Sequence, residues 1–165
     1  MLPKDWYPVD DYSSHRPALF TAIIHTKGDV VELGCGEGST SLLTNICNKL
    51  NRRFTSLESS TEWCRKYPQT LPVSDDYSEV RIFMPCSVLF IDNAPGELRK
   101  DLIRDHADNA EILVIHDAEE SAEYVYGLKS ILSTFPYRFI YQPEGMPHTA
   151  IVSHKCDVTK WNIPA

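Results

Sequence analysis

The run Glu32-Leu33-Gly34-Cys35-Gly36-Glu37-Gly38 is the segment whose residue types speak most directly of chemistry. Glycines at alternate positions let a backbone turn sharply and approach a ligand without Cβ clashes. A further acid, Glu58, follows 20 residues after Gly38, the interval at which an acid can accept both hydroxyls of a ribose. Asp92 and the pair His116-Asp117 each close a later apolar run. Such groups take a proton from a reacting hydroxyl, or hold a divalent cation that lowers its pKa. Asp92 and Asp117 have an evenly weighted structural reading, the capping of a following helix whose dipole favours an acid.

These residues need a frame that brings them together. Short β-rich runs alternate with amphipathic helical ones, which argues for an α/β fold with a mostly parallel sheet. The first strand is expected at residues 29–33, followed by a helix from about Ser39 with Leu42, Leu43, Ile46 and Leu50 on one face. The second strand is expected at residues 53–57. Ser59-Ser60-Thr61-Glu62 reads as a capping box for a short helix containing Trp63 and Tyr67. The third strand is either 70–74 or 80–83. Only three residues separate Phe83 from the fourth strand at 87–91, too few for a parallel crossover, which favours the earlier segment.

Pro95 is expected as a first helical residue. The mixed-charge run Glu97-Leu98-Arg99-Lys100-Asp101 reads as a solvated helix face. The fifth strand is expected at residues 111–115 and a single helix at about 119–135. Strands at 137–142 and 148–154 are joined by a Gly145 loop suited to an antiparallel hairpin, a common edge of a mostly parallel sheet.

Two ligand classes use a glycine loop of this kind. Dinucleotides require G-x-G-x-x-G, with the pyrophosphate on a helix N-terminus. Here the pattern is G-x-G-x-G, and Ser39 and Thr40 stand where the third dinucleotide glycine would fall. Carboxylates such as Glu32 and Glu37 repel a pyrophosphate but attract the ammonium and sulfonium of S-adenosylmethionine. The charge pattern therefore favours a cationic nucleoside, and an NAD-dependent oxidoreductase is the weakest of the readings.

The segment VVELGCGEGST resembles motif I of the class I S-adenosylmethionine-dependent methyltransferases. Glu58 resembles their ribose-binding acid, and FIDNAPGE resembles the region after the fourth strand, where these enzymes place substrate or catalytic residues. The resemblance spans about Asp29 to His154. It implies a three-layer Rossmann-like fold with a mostly parallel seven-stranded sheet and an antiparallel last strand. It implies S-adenosylmethionine as cofactor, held by Glu32, Gly34, Cys35, Gly36, Gly38, Glu58 and Ser59. Within that set the glycines would line the methionine part, Glu32 would reach the ammonium, and Glu58 would hold the ribose. Adenine contacts would come from the loop after the third strand, at Asp75, Asp76 or Tyr77.

Catalysis is placed on Asp92, His116 and Asp117. Metal-dependent O-methyltransferases of the catechol type use acids after the same two strands plus an asparagine, but here Ala118 follows Asp117. A metal on Asp92 and Asp117 is therefore the minority reading, and no metal the favoured one. Asp92-Asn93-Ala94-Pro95 is not the Asn/Asp-Pro-Pro-Tyr/Phe motif of common amino-methylating enzymes, which tilts the acceptor toward oxygen. His15 and His148 are further candidates, and Trp6, Tyr7, Tyr12 and Tyr126 are candidates for an aromatic lid.

The chain's 165 residues suit a single domain over 1–165, with residues 1–28 as a cover segment and helix packed before the first strand. Sixteen Lys and Arg against 23 Asp and Glu give a net charge of −7. That balance disfavours nucleic acid held by bulk charge and points to a small-molecule substrate. No apolar run is long enough to cross a bilayer. The five scattered cysteines read as reduced thiols in a cytoplasmic protein. The alternative to an enzyme is a non-catalytic S-adenosylmethionine-binding module or subunit, and the edge near the hairpin leaves room for a homo-oligomer.

Overall fold

The computed structural model describes residues 3–164; Met1, Leu2 and Ala165, at the ends of the expected 1–165 unit, lie outside the described residues. The strands are β1 Val30–Leu33, β2 Phe54–Glu58, β3 Leu71–Pro72, β4 Cys86–Ile91, β5 Ala110–His116, β6 Tyr137–Tyr141 and β7 Thr149–Ser153. They form one seven-stranded sheet of order β3-β2-β1-β4-β5-β7-β6. Pairings from β3 through β5 are parallel, and β7 runs antiparallel to both β5 and β6. This is the Rossmann-like methyltransferase architecture, with the chain direction reversing only in β7.

The central strands are mostly apolar on both faces because helices cover both, with Glu32 of β1 a buried exception. In β4, Leu89 and Ile91 pack on one face with Leu102 and Ile103 of α4 (Arg99–His106) and Leu128 and Leu132 of α6 (Leu128–Leu132). Val88 and Phe90 pack on the other face with Leu19 and Ile23 of α1 (Arg16–Ile24) and Leu43 of α2 (Thr40–Lys49). The helix expected before the first strand is thus present as α1 and lies in the core. Trp6, read as part of a lid, is buried with it against Phe20 at 5.2 Å.

Several local expectations are corrected. The third strand is the earlier of the two candidates, but only two residues pair, Leu57 with Leu71 and Glu58 with Pro72. Residues 80–83 belong instead to a 3-10 turn, Ser78–Phe83. The single helix over 119–135 is divided into a 3-10 turn at Glu120–Ala122, α5 (Glu123–Tyr126) and α6. Gly127 at φ 61° sits between α5 and α6, in a left-handed conformation that ends one helix and opens the next.

Pro95 precedes a 3-10 turn, Gly96–Leu98, in an extended conformation rather than occupying a first α-helical turn. Before α3 (Thr61–Lys66), Ser60 alone caps, its hydroxyl accepting from the Trp63 N–H. Asp92 and Asp117 cap no helix: α4 begins after Leu98, and Asp117 has φ 54°.

Candidate functional site

The carboxyl ends of β1, β2, β4 and β5 and the segment before α1 surround a cavity of about 1120 Å³. Open α/β sheets bind ligands at this end, where the strand order reverses. Cys35, Gly36, Gly38, Glu58 and Ser59 line the cavity, as do Asp92, His116 and Asp117. Of the sequence-predicted set, Glu32 and Gly34 do not line it.

Gly34 serves the turn. It has φ +86°, and a Cβ there would meet the Asp92 carbonyl oxygen at 2.4 Å. Gly36 differs, because a Cβ built on it meets nothing within 4 Å and its φ is not positive. The fold itself places no demand for glycine there. At Gly38 a Cβ would lie 1.9 Å from the Tyr12 carbonyl oxygen, so the bare backbone there makes room for the chain before α1. The Arg16 Nε–H donates to the Gly38 carbonyl at 2.9 Å and reinforces that contact.

Glu58 uses one carboxylate oxygen on the glycine loop and the other on the turn that follows β2. Oε2 accepts from the Cys35 N–H at 3.0 Å and Oε1 from the Ser60 N–H at 2.7 Å. Each carboxylate oxygen can still accept a further hydrogen bond from within the cavity. Glu32 is fully buried beneath the loop. Its carboxylate accepts from the hydroxyls of Thr40 at 2.9 Å, Ser56 at 2.6 Å and Ser39. It braces the start of α2 against β2 instead of reaching the cavity.

Burial pushes the Glu32 pKa from 4.5 to about 7, against the pull of the three hydroxyls. Between those two values the folded chain holds a proton that the unfolded chain has released. Stability from this group therefore falls as pH rises from 4.5 to about 7 and is level above. Glu32→Gln, which cannot titrate, is expected to flatten that decline by up to about 3 kcal/mol, as read by urea unfolding at pH 5 and pH 8.

At the other end of the cavity an arginine organises the acids. Arg99 donates through Nη2 to Asp92 Oδ1 at 3.0 Å and through Nη1 to Asp117 Oδ2 at 2.9 Å. Its remaining donors go to the carbonyls of Asn93 and His116, and its guanidinium lies 4.4 Å from the Tyr126 ring centroid. The arginine is 4% exposed, so the expectation of a solvated helix face fails at this residue. The cation bridging the two acids is the guanidinium, which removes the basis for a metal between Asp92 and Asp117.

His116 Nδ1 lies 3.2 Å from Asp92 Oδ1 and 3.5 Å from Asp117 Oδ1, while Nε2 lies 2.8 Å from Ser14 Oγ. Burial opposes a charge on His116, but Asp92, aided by Asp117, outweighs it and raises the pKa above 6.5. His15 packs at a tilt against Phe90, ring centroids 4.7 Å apart, and meets His116 edge-on at 4.8 Å. Burial, with His116 and Arg16 nearby, holds its pKa well below 6.5. Neither ring nitrogen of His15 meets a hydrogen-bond partner in good geometry among the described residues, although the nearby Gly38 backbone acts to raise its pKa.

Among the other candidates, Asp75 and Tyr12 line the cavity. Tyr77 is buried and, with Asp76, borders a separate cleft. Tyr7 and His148 do not line it, and Tyr126 lies beneath Arg99. Trp63, Ser14 and Arg99 are site residues that the sequence did not mark. Trp63 is visible in the sequence only as a member of a short helix, and Ser14 carries no periodic signal.

No known protein family matches the sequence, and no curated protein matches it. Solved structures do match by fold. The chain aligns with an S-adenosylhomocysteine-bound Podospora anserina methyltransferase, PaMTH1, at TM-score 0.58 and 12% identity, covering 87% of this chain and 78% of that one. It aligns with the MycE methyltransferase of mycinamycin biosynthesis, in complex with Mg and S-adenosylhomocysteine, at TM-score 0.58 and 13% identity, covering 93% of this chain and 48% of that one. It also aligns with the T. thermophilus 16S rRNA methyltransferase RsmC, in complex with AdoMet and guanosine, at TM-score 0.54 and 13% identity. That match covers 85% of this chain and 38% of that one. The chain thus spans about half or less of the latter two proteins. The fold is that of class I S-adenosylmethionine-dependent methyltransferases.

Proposed function

We propose that this chain is an S-adenosylmethionine-dependent methyltransferase that methylates a small molecule at oxygen. The observation that carries the reading is the open space in front of Gly36, beside Glu58, in a cavity rimmed by carboxylates. Asp11, Glu37, Glu58, Asp75, Asp92 and Asp117 all line it. The lining cation Arg99 has its donors committed within the protein. A positively charged adenosyl group fits such a lining and a pyrophosphate does not. The same charge argues against a nucleic-acid acceptor, although a neighbour of this fold carries an rRNA methyltransferase name.

Cys35, Gly36, Gly38, Glu58 and Ser59 would hold the cofactor, with Gly34 shaping the loop and Glu32 bracing it from behind. The bound cofactor supplies a methyl carbon activated by its sulfonium. The chain must then position an acceptor hydroxyl and take its proton. His116 accepts that proton, and Asp92 stabilises the resulting imidazolium, as an acid does for a catalytic histidine elsewhere. Arg99 keeps Asp92 and Asp117 in place and touches no substrate. Free thiols at all five cysteines fit a cytoplasmic location. Among the described residues, no helix is long and apolar enough to cross a membrane.

Thermal unfolding with added ligands tests the cofactor class. S-adenosylhomocysteine should raise the midpoint and NAD should leave it unchanged; the reverse would overturn the assignment. Glu58→Ala should weaken S-adenosylhomocysteine binding by about 1–3 kcal/mol in a calorimetric titration, since it removes a charged hydrogen-bond acceptor and frees two loop N–H groups. Tight binding without transfer to any of a broad panel of hydroxyl acceptors would leave a binding module in place of an enzyme.

A further inference from the structure

Ligand atoms of His15, Asp92 and His116 all lie within 4.8 Å of one another. His15 is 1% exposed and its two ring nitrogens have no hydrogen-bond partner among the described residues. A buried polar group without a partner is costly and calls for an explanation. The ring also lines the cavity.

We infer that His15, Asp92 and His116 form a binding site for a borderline divalent cation of the zinc, cobalt or iron type. Two imidazoles and one carboxylate suit these ions and not magnesium, which prefers oxygen ligands. His116 Nδ1 and Asp92 Oδ1 stand 3.2 Å apart. Two ligands so spaced subtend about 100° at an ion with bonds of about 2.1 Å, between octahedral and tetrahedral angles. The ion takes the place of the proton on Nδ1. His116 Nε2 then donates to Ser14 Oγ at 2.8 Å, an outer contact that fixes the ring and its tautomer.

The site is distinct from the one the sequence suggested. Asp92 Oδ1 also accepts from Arg99, and the third ligand is His15, at the start of α1, in place of Asp117. The carboxylates of Asp92 and Asp117 balance the ion's charge beside the guanidinium of Arg99. Three protein ligands leave coordination positions open toward the cavity, as catalytic sites do. With the ion on Nδ1 and Nε2 turned to Ser14, His116 has no nitrogen left to accept a proton, so its role as base belongs to the metal-free chain; cation binding stands by itself.

Cobalt titration of the chelator-treated full chain provides the test, with binding read from visible absorption bands and from calorimetry. The expected result is one equivalent bound at micromolar free cobalt, with His15→Ala weakening it by about 100-fold. Ser14→Ala is expected to weaken it less, because Ser14 only orients His116. S-adenosylhomocysteine titrations and unfolding midpoints on the same samples show whether His15→Ala remains folded and cofactor-competent. His116→Gln supplies a second ligand deletion should His15→Ala fail to fold. No cobalt binding by a protein that still binds S-adenosylhomocysteine would overturn the metal site and leave the cofactor assignment intact. Unchanged cobalt affinity in a folded ligand variant would overturn it equally. Cobalt binding without S-adenosylhomocysteine binding would uphold the metal site and count against the cofactor reading.

Discussion

Gly36→Val should abolish binding of S-adenosylhomocysteine while leaving the fold intact. Glycine in a tight loop is usually demanded by backbone strain or by crowding, and Gly34 shows both. Gly36 shows neither, since its φ is not positive and a Cβ there meets nothing within 4 Å. The missing side chain leaves space that the protein does not fill. Valine would fill it with three carbons directly beside Glu58 and the loop N–H groups. The expected loss of affinity is at least about 100-fold, near 3 kcal/mol, on the scale of steric overpacking in a formed site. Circular dichroism and the unfolding midpoint should match the parent. Normal binding by the variant would mean that the cofactor lies elsewhere.

Arg99→Met should have the largest effect on stability. It removes the shared partner of Asp92 and Asp117 and leaves two carboxylates facing one another near His116. Deleting one member of a buried charge pair costs several kcal/mol, because the other charge is stranded. The two acids retain 26% and 21% side-chain exposure, so water relieves part of the cost. The expected destabilisation is about 3 kcal/mol at neutral pH, measured by urea unfolding. Asp117→Asn in the Arg99→Met background should recover part of the loss by removing one stranded charge. A variant as stable as the parent would show that the bridge is not structural.

How far the sequence revealed this site depended on chain locality. The glycine loop, Glu58, Asp92 and His116 all sit at the ends of apolar strands, and strand ends are visible as abrupt changes from apolar to polar residues. β3 was blurred because only Leu71 and Pro72 pair, too short a stretch for any period to register. Gly127 divided a helix whose apolar residues kept helical spacing on both sides. Arg99 was misread because it stands among Glu97, Lys100 and Asp101, a pattern that normally faces water. Only the turn through Asn93 to Leu98 carries its side chain back to the strand ends, and no local rule encodes that path. Ser14 was hidden for the same reason, since it meets His116 across about 100 residues of sequence, whereas His15 was marked as a candidate.

The central claim is that bare backbone among fixed carboxylates makes a seat for the adenosyl thioether cofactor. Isothermal titration of the folded chain with S-adenosylhomocysteine, with NAD as the comparison, addresses it most directly. Saturable, one-to-one heat is expected with S-adenosylhomocysteine at micromolar concentration, and none with NAD. A flat titration with S-adenosylhomocysteine, from protein whose unfolding transition is cooperative, would contradict it.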